Sequence, residues 1–295
     1  MPISTPGWRT VTVQDHGKLF LRDGQMVMAA GETETCLPIQ QLSGLMIMCP
    51  DGSITLPLMN ELLRQQVSVI VCDEKRTPAG ELIGISQNGG AAGCLMDQAA
   101  WSAERKLAVW AAIVRQKIRM QIEALRRLKL PVPDEMYVYL DNVAPGDITN
   151  REGQAARLYF NTLFGTEFIR QAPDDINAGL DYGYAILRSA FSRAVTMNGY
   201  HTALGIHHCG RLNPVNLSCD LMEPFRPFCD LTVYANRRST LTWEYKKELI
   251  SLPHVCCMYR GKETRLQNAV DCFTLDVLKA MSDAEHTIGE VSLAG

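Results

Sequence analysis

A change of hydrophobic period near residue 98 constrains the fold of this chain more than any other sequence feature. Before it, apolar residues occur in short runs of strand length. After it, they recur at spacings of three and four, the period of an amphipathic helix. The clearest helical stretch covers 101–130 and ends where Pro131 and Pro133 interrupt it. Its predicted core positions are Leu107, Trp110, Val114, Ile118, Ile122 and Leu125. The sequence therefore predicts an α+β chain, with a small N-terminal β domain followed by a larger all-α C-terminal domain.

The first eighty-odd residues are typical of strands. Asp23-Gly24 separates 18–21 from 25–28 and favours a tight hairpin, because glycine tolerates positive φ. Further strands are predicted at 10–13, 45–48 and 67–72, and a short helix at 57–66. The polar, glycine-dense stretch at 86–93 is typical of a linker. We assign 1–88 to the β-rich domain, 89–97 to the linker and 98–295 to the helical domain.

The rest of the chain has helical periodicity. Helices are predicted at 150–164, 176–198, 227–235 and 263–281, and the segment after His286 is expected to be loose. In the helix that starts near Thr149 or Asn150, Glu152 falls in the first turn.

Composition narrows the cellular setting. The 295 residues carry a formal net charge of −3 and ten cysteines, none in a C-x-x-C pair, which argues against a structural zinc site. The N-terminal stretch has no apolar signal core, and no apolar run is long enough to span a membrane. We therefore expect a cytoplasmic protein with reduced thiols and no membrane association.

The long helix at 101–130 is strongly basic. It carries eight lysines and arginines against only Glu104 and Glu123. Two interpretations stay open: an ordinary solvated helix face, or a surface that faces DNA phosphates. The candidate DNA-binding residues on this helix and beyond are Arg115, Lys117, Arg119, Arg126, Arg127, Arg226, Arg237, Arg238, Lys246 and Lys247.

One short segment concentrates chemistry. His207 and His208 are adjacent, and Asp220 and Glu223 follow at a spacing that places both acids on one helical turn. An imidazole nitrogen with carboxylate oxygens suits Mn²⁺ or Mg²⁺ better than Zn²⁺. Glu152 is the candidate for a further acid from another segment. Spacing alone leaves open that these are solvated acids and structural histidines.

Three motifs in order resemble the CRISPR-associated integrase family, the first Cas protein, in its type II branch. They read NREGQAARLYFNTLFG at 150–165, INAGLDYGYAILRSAFSRAV at 176–195 and LGIHHCGRLNPVNLSCDLMEPFRP at 204–227. GWRTV, VIVCDEKRTPAGEL and WEYKKELI fit as well, so the resemblance covers nearly the whole chain.

The resemblance implies a metal site of Glu152, His208 and Glu223 that binds Mg²⁺ or Mn²⁺, with Asp220 as a candidate acid that either supports a ligand from behind or assists as an auxiliary acid. His208 is preferred to His207 because it lies three residues after Gly205, as the family's histidine follows its glycine. It also implies a β-sandwich N-terminal domain that forms a homodimer, and a helical domain that holds the site.

The activity implied is CRISPR adaptation in the prokaryotic cytoplasm. A 3′-hydroxyl of a short foreign double-stranded DNA fragment attacks a phosphodiester of the CRISPR repeat by transesterification. The implied partner is a dimer of the small ferredoxin-like second Cas protein in a heterohexamer, and the RNA-guided effector nuclease is a further candidate. The alternatives are a metal-dependent endonuclease acting on branched or duplex DNA, and a non-catalytic DNA-binding scaffold.

Overall fold

The structure is a computed structural model that describes residues 9–14, 17–82, 84 and 91–295. The chain divides into two compact units, Met1–Gln87 and Asn88–Gly295. Of the predicted linker, 89–97, residues 89 and 90 lie outside the described residues. The remainder is corrected by the structure, because 91–97 belong to a helix, α2 (Ala91–Ala99). Gln98 anchors that helix by donating to the carbonyls of His201 (2.8 Å) and Leu204 (2.7 Å).

The described part of the first unit contains two sheets and a helix. The sheet orders are β1-β5-β7-β8, in which only β8 is antiparallel to its neighbour, and β4-β3-β2-β6, in which only the β2–β6 pair is parallel. The strands are β1 (Arg9–Val13), β2 (Lys18–Arg22), β3 (Gln25–Ala30), β4 (Thr33–Pro38), β5 (Leu42–Ile47), β6 (Ser53–Ile54), β7 (Ser68–Cys72) and β8 (Pro78–Leu82), and helix α1 spans Leu56–Arg64.

One apolar core joins the two sheets. Leu45 and Val69 from one sheet and Leu19 and Met26 from the other are at most 3% exposed and belong to the same cluster. The predicted hairpin is present between β2 and β3, with Asp23 and Gly24 both at positive φ.

The second unit is mostly helical. Its helices are α2, α3 (Ala103–Arg127), α4 (Asp134–Asp141), α5 (Arg151–Phe164), α6 (Asp175–Met197), α7 (Asn216–Met222), α8 (Arg226–Ala235), α9 (Trp243–Ile250) and α10 (Leu266–Ser282). A single 3₁₀ turn, Glu223–Phe225, joins α7 to α8. The predicted order of a strand-rich region before a helical one is confirmed. The described residues contain no helix with the length and hydrophobicity that a membrane span needs.

The prediction of an all-α second domain is wrong in one respect. Strands β9 (Cys256–Tyr259), β10 (Lys262–Arg265) and β11 (Val291–Leu293) form an antiparallel sheet in the order β10-β9-β11. The segment after His286 is therefore not loose, since it supplies β11 and buries Val291 at 2% exposure. Pairing between residues more than thirty positions apart is a tertiary effect that local pattern does not report.

Helix α3 is the central element of the second unit. Ser102 caps its N-terminus by accepting from the Arg105 backbone N–H (3.1 Å). The helix contacts α4, α5, α8 and α10, and Trp110 and Ile118 on its apolar stripe are buried. Leu107, predicted to be buried, is 44% exposed. Because neighbours pack around most of α3, it also buries polar residues, namely Gln116, Lys117 and Gln121.

The buried polar side chain of Gln116 explains how the C-terminal strand is held. Its Nε2 donates to the Gly289 carbonyl (2.8 Å), and its Oε1 accepts from the Val291 N–H (3.4 Å). Glu123, further along α3, accepts from the Leu293 N–H (2.9 Å). The C-terminal strand therefore docks along α3 in two ways. Its apolar side chain is buried, and side chains of α3 hydrogen-bond to its backbone.

We expect Val291→Ala to lower the free energy of unfolding of the second unit by about 2 kcal/mol, because two buried methyl groups are lost and a cavity remains. Urea unfolding followed by tryptophan fluorescence measures this. The matched control is Val255→Ala, at a position that is 39% exposed, where about 0.5 kcal/mol or less is expected. Equal losses for the two variants would show that the C-terminal strand is not docked.

Candidate functional site

Glu152 is positioned by a doubly capped helix terminus. Asn150 is the N-cap of α5 in the left-handed region (φ 53°), and its side chain accepts from the Gly153 N–H (3.2 Å). Asp147, which the sequence analysis missed, accepts from the N–H groups of Arg151 (2.8 Å) and Glu152 (2.9 Å). Since these side chains satisfy the helix terminus, the Glu152 carboxylate is available for another partner.

Glu223 is brought to Glu152 by a lysine. Glu223 is 4% exposed at the start of the 3₁₀ turn after α7. The buried ammonium of Lys117, on α3, donates to Glu152 Oε1 and to Glu223 Oε2. The second oxygen of Glu223, Oε1, pairs with Arg226 at 2.8 Å. Two acids from distant segments therefore converge on one cation.

The charges of this cluster depend on one another. Burial alone would raise the pKa of Glu223, but Arg226, Lys117 and His208 together lower it to about 2. Burial alone would lower the pKa of Lys117, but Glu223 and Glu152 outweigh it and raise that pKa. Glu223 is therefore ionised and Lys117 protonated at neutral pH, and each charge compensates the burial of the other.

His208 is oriented by Asp220. Asp220 is fully buried, and its two oxygens accept from the backbone N–H groups of Ile206 (2.6 Å), His207 (3.0 Å) and His208 (3.0 Å). His208 Nδ1 lies 2.6 Å from Asp220 Oδ1, an interaction that raises the pKa of His208 although burial opposes it. This contact leaves Nε2 as the nitrogen not engaged by Asp220, an arrangement common in metal-binding histidines.

Of the two roles predicted for Asp220, this geometry favours the one in which it supports a ligand from behind. Both of its oxygens are used to fold the 206–208 loop back onto α7 and to hold the His208 ring. Asp220 is therefore a positioning residue for His208. Gly205 is required at the start of the loop, because an added Cβ would lie 2.3 Å from the His208 carbonyl oxygen and 2.8 Å from Asp220 Oδ2.

His207 has a different environment from His208. Its ring stacks on Trp110 of α3, with ring centroids 4.2 Å apart and planes 2° apart. A ring held flat against a buried indole braces the loop. Of the two adjacent histidines, His207 therefore packs and His208 faces the acids.

The carboxylate and imidazole groups of Glu152, Glu223 and His208 are donors that suit a divalent cation, but in this structure the two carboxylates bind the ammonium of Lys117. Among the described residues, no group of three or more histidine, cysteine, aspartate and glutamate side chains is placed to hold a metal ion. Lys117 lies between the carboxylates, where a cation would lie. Carboxylates with one imidazole are the donors that Mg²⁺ and Mn²⁺ accept, so the site of Glu152, His208 and Glu223 stays a prediction.

A second layer supports Arg226 beneath the acids. The Arg226 guanidinium lies 4.4 Å from the centroid of the Tyr184 ring, and Tyr184 donates to Asp230 Oδ1 (2.5 Å). Burial raises the pKa of Asp230 to about 6, although the hydrogen bond from Tyr184 opposes the rise. No spacing in the sequence marks this layer, so it was not predicted.

The candidate DNA-binding residues divide into inward and outward groups. Lys117 is corrected, because it is buried and binds Glu152 and Glu223 instead of facing solvent. Arg226 also pairs with Glu223, but its side chain stays 26% exposed. Lys117 lies seven residues after Trp110 on the apolar stripe, a signal that would have predicted its burial. The exposed candidates are Arg119, Arg126, Arg127, Arg238 and Lys247.

The remaining three candidates are partly buried against the protein. Arg115 donates to the Val143 carbonyl (2.5 Å), and the Arg237 guanidinium lies 3.9 Å from the centroid of the Tyr234 ring. The Lys246 ammonium lies 5.2 Å from the centroid of the Tyr182 ring. The exposed subset is therefore the better candidate for DNA contact.

All ten cysteines lie in the described part of the chain and are free.

Known proteins resemble this chain in fold along most of its length. A casposase bound to its integration product superposes with a TM-score of 0.77 at 17% identity, covering 95% of this chain and 92% of the casposase. A Cas1 protein from Thermotoga maritima gives a TM-score of 0.74 at 12% identity, and the superposition covers 96% of this chain and 99% of the Thermotoga protein. A chain of a Cas6-RT-Cas1–Cas2 complex gives a TM-score of 0.73 at 17% identity. The superposition covers 98% of this chain and 36% of the chain in the complex.

Similarity in sequence identifies the family, which similarity in fold alone does not. The CRISPR-associated endonuclease Cas1 of Neisseria meningitidis serogroup C (strain 8013) is 34% identical over 261 residues, which cover 84% of this chain and 83% of the relative. A Cas1 endonuclease of Pyrobaculum aerophilum is 28% identical over 249 residues, which cover 78% of this chain and 82% of the relative. The family model described as CRISPR associated protein Cas1 matches residues 11–250. This chain therefore belongs to the Cas1 family.

Proposed function

We propose that this protein is a divalent-metal-dependent DNA integrase of CRISPR adaptation, which joins the 3′-hydroxyl ends of short foreign DNA fragments to the CRISPR repeat. The observation that carries the proposal is the convergence of Glu152 and Glu223 on one cation, next to a histidine whose ring is oriented by Asp220. Family membership and the likeness in fold to a casposase bound to its integration product support it.

The proposed site contains Glu152, Glu223 and Nε2 of His208 as ligands of Mg²⁺ or Mn²⁺. Such an ion supplies charge stabilisation at the phosphoryl oxygens and favours the alkoxide form of a bound hydroxyl. The two glutamates bring anionic oxygens from α5 and from the α7–α8 junction. Asp220 holds the His208 ring so that little freedom is lost when a ligand binds.

The proposed reaction is one transesterification at each end of the fragment. A bond forms between the fragment's 3′ oxygen and a repeat phosphorus, while the bond from that phosphorus to the neighbouring 3′ oxygen breaks. The proton of the attacking hydroxyl is balanced by the new 3′-hydroxyl that is released. Phosphodiester number is conserved, so the task of the protein is positioning and charge stabilisation.

The proposed partners follow from the family and its solved structures. The fold likeness to a Cas1–Cas2 complex and to a DNA-bound Cas1 supports double-stranded DNA and the small second Cas protein as partners. The heterohexamer, the homodimer through the first unit and a role for the effector nuclease remain expectations, as does the cytoplasmic location. The exposed arginines and lysine form the proposed DNA-contacting set.

We expect Glu152→Gln and His208→Ala each to reduce strand transfer about a hundredfold or more, equivalent to about 3 kcal/mol in the barrier. The assay uses labelled fragments, supercoiled plasmid carrying a repeat, the second Cas protein and Mn²⁺. Glu167→Gln, at an exposed acid just after α5, is the matched control and is expected to keep full activity. Normal joining by folded Glu152→Gln protein would remove this residue from the mechanism.

The same assay separates the integrase from the endonuclease alternative, which the names of the relatives favour. Joined, branched products that require the fragment's 3′-hydroxyl are expected. If only free cut ends appear, with blocked and unblocked fragments alike, the protein is an endonuclease.

We expect Mn²⁺ at about a hundred times its dissociation constant to raise the melting temperature of the second unit by about 5 °C, since binding to the folded state contributes about 2.7 kcal/mol. Glu223→Gln is expected to abolish the rise, and chelation to reverse it. No rise in the wild-type protein would favour the scaffold alternative, in which the acids only support structure.

We expect Arg126→Ala combined with Arg127→Ala to weaken duplex binding equally for unrelated sequences. The slope of log affinity against log salt should fall by about 2, because each lost phosphate contact removes about 0.9. Fluorescence anisotropy over a series of NaCl concentrations measures both quantities. Arg64→Ala removes an exposed arginine on α1 that pairs with Glu61, and it serves as the control. An unchanged slope in the double variant would exclude this part of α3 from the DNA surface.

A further inference from the structure

We propose that Lys117 is an internal counter-cation that occupies the divalent-cation position of this site and must leave it before the ion binds. This inference rests on the proposed metal site and assigns Lys117 a competing role there. Its basis is the set of contacts made by the two glutamates, which leave Glu223 with no oxygen free of a cationic partner.

The two oxygens of Glu223 have different cations. Oε1 pairs with Arg226 at 2.8 Å, and Oε2 accepts from Lys117, which also binds Glu152 Oε1. A divalent ion held by the two glutamates would need an oxygen of Glu223, and both of these oxygens already have a cationic partner. An ammonium and a divalent cation on the same oxygens would repel each other strongly at contact distance in a partly buried site.

Lys117 is the partner that can move. Arg226 is fixed on two sides, by Glu223 and by the face of the Tyr184 ring at 4.4 Å. Lys117 is a point charge on a flexible four-carbon stem, which needs no fixed planar geometry. The Glu152 side chain is 29% exposed while that of Lys117 is 8% exposed, so the site opens towards solvent on the Glu152 side.

The repulsion between the two buried carboxylates explains why a lysine lies between them in the metal-free protein. Two carboxylates brought together without a cation repel each other, and burying Glu223 unpaired would destabilise the fold. Lys117 removes that penalty in the metal-free protein. The same contact lowers the apparent affinity for the ion, because binding must first break two ion pairs.

The first test is Mn²⁺ binding measured by calorimetry on metal-free protein. Lys117→Met keeps the length of the stem and removes the charge, and it is expected to bind Mn²⁺ at least tenfold more tightly than the wild type, while its metal-free melting temperature falls. Lys117→Arg retains a cation and is expected to bind no more tightly than the wild type. Lys129→Met removes an exposed lysine after the end of α3 and is the matched control. Affinity of Lys117→Met within threefold of the wild type would overturn the proposal.

A second test uses the wild-type protein, so it does not depend on the variants folding. Acetic anhydride labelling read by mass spectrometry reports the accessibility of each lysine ammonium. Lys117 is expected to be protected without metal and at least fivefold more reactive at saturating Mg²⁺, while Lys129 stays unchanged. Protection of Lys117 at an Mg²⁺ concentration shown by calorimetry to saturate the site would also overturn the proposal.

The outcome that refutes the metal site itself is distinct. If neither the wild type nor Lys117→Met binds Mn²⁺, and Glu152→Gln behaves as both do, the proposed metal dependence is wrong. If the wild type binds Mn²⁺ and Lys117→Met binds it equally well, only the role of Lys117 is wrong.

Discussion

The bridge from Lys117 to Glu152 and Glu223 is the interaction on which the geometry of the site depends. It joins α3, the N-terminus of α5 and the α7–α8 junction at one point inside the second unit. Like charges on the two acids would separate these elements, and one shared ammonium holds them together instead. Breaking one partner of such a buried cluster leaves an uncompensated charge, so the cluster is costly to disturb and specific in its geometry.

The site is built from layers that share charge. Asp220 organises the 206–208 loop and the His208 ring, and Asp147 satisfies the start of α5 so that Glu152 is free to turn inward. Arg226 rests on Tyr184 and holds one oxygen of Glu223. Each layer restricts the next side chain through these contacts, which is the kind of preorganisation that the proposed phosphoryl transfer would use. The exposed basic residues are a separate feature, since they lie at the surface, where the proposed contacts with DNA phosphates would be made.

Much of the fold and part of the site were predictable because they depend on local pattern. The period of three and four along 101–130 predicted α3, and Asp23-Gly24 predicted the hairpin. Helices α5 and α6 begin and end within one residue of the predicted bounds. The α2 helix, the β9–β11 sheet and the docked C-terminal strand were not predicted, because their stability comes from partners distant in sequence. Glycines near 90 obscured a helix that Gln98 anchors through contacts with residues about a hundred positions away.

By itself the sequence identified the candidate residues: two glutamates, two adjacent histidines and an aspartate, in motifs typical of one family. Only the tertiary structure decided their roles. It divided the histidines into one that stacks on Trp110 and one that Asp220 orients. It also turned Lys117 from a supposed DNA surface onto Glu223, the acid that Arg226 pairs with as well. The physical reason is that residue type specifies what a group can bind. Burial and the charge of its neighbours, which come from segments far apart in the chain, specify what it does bind.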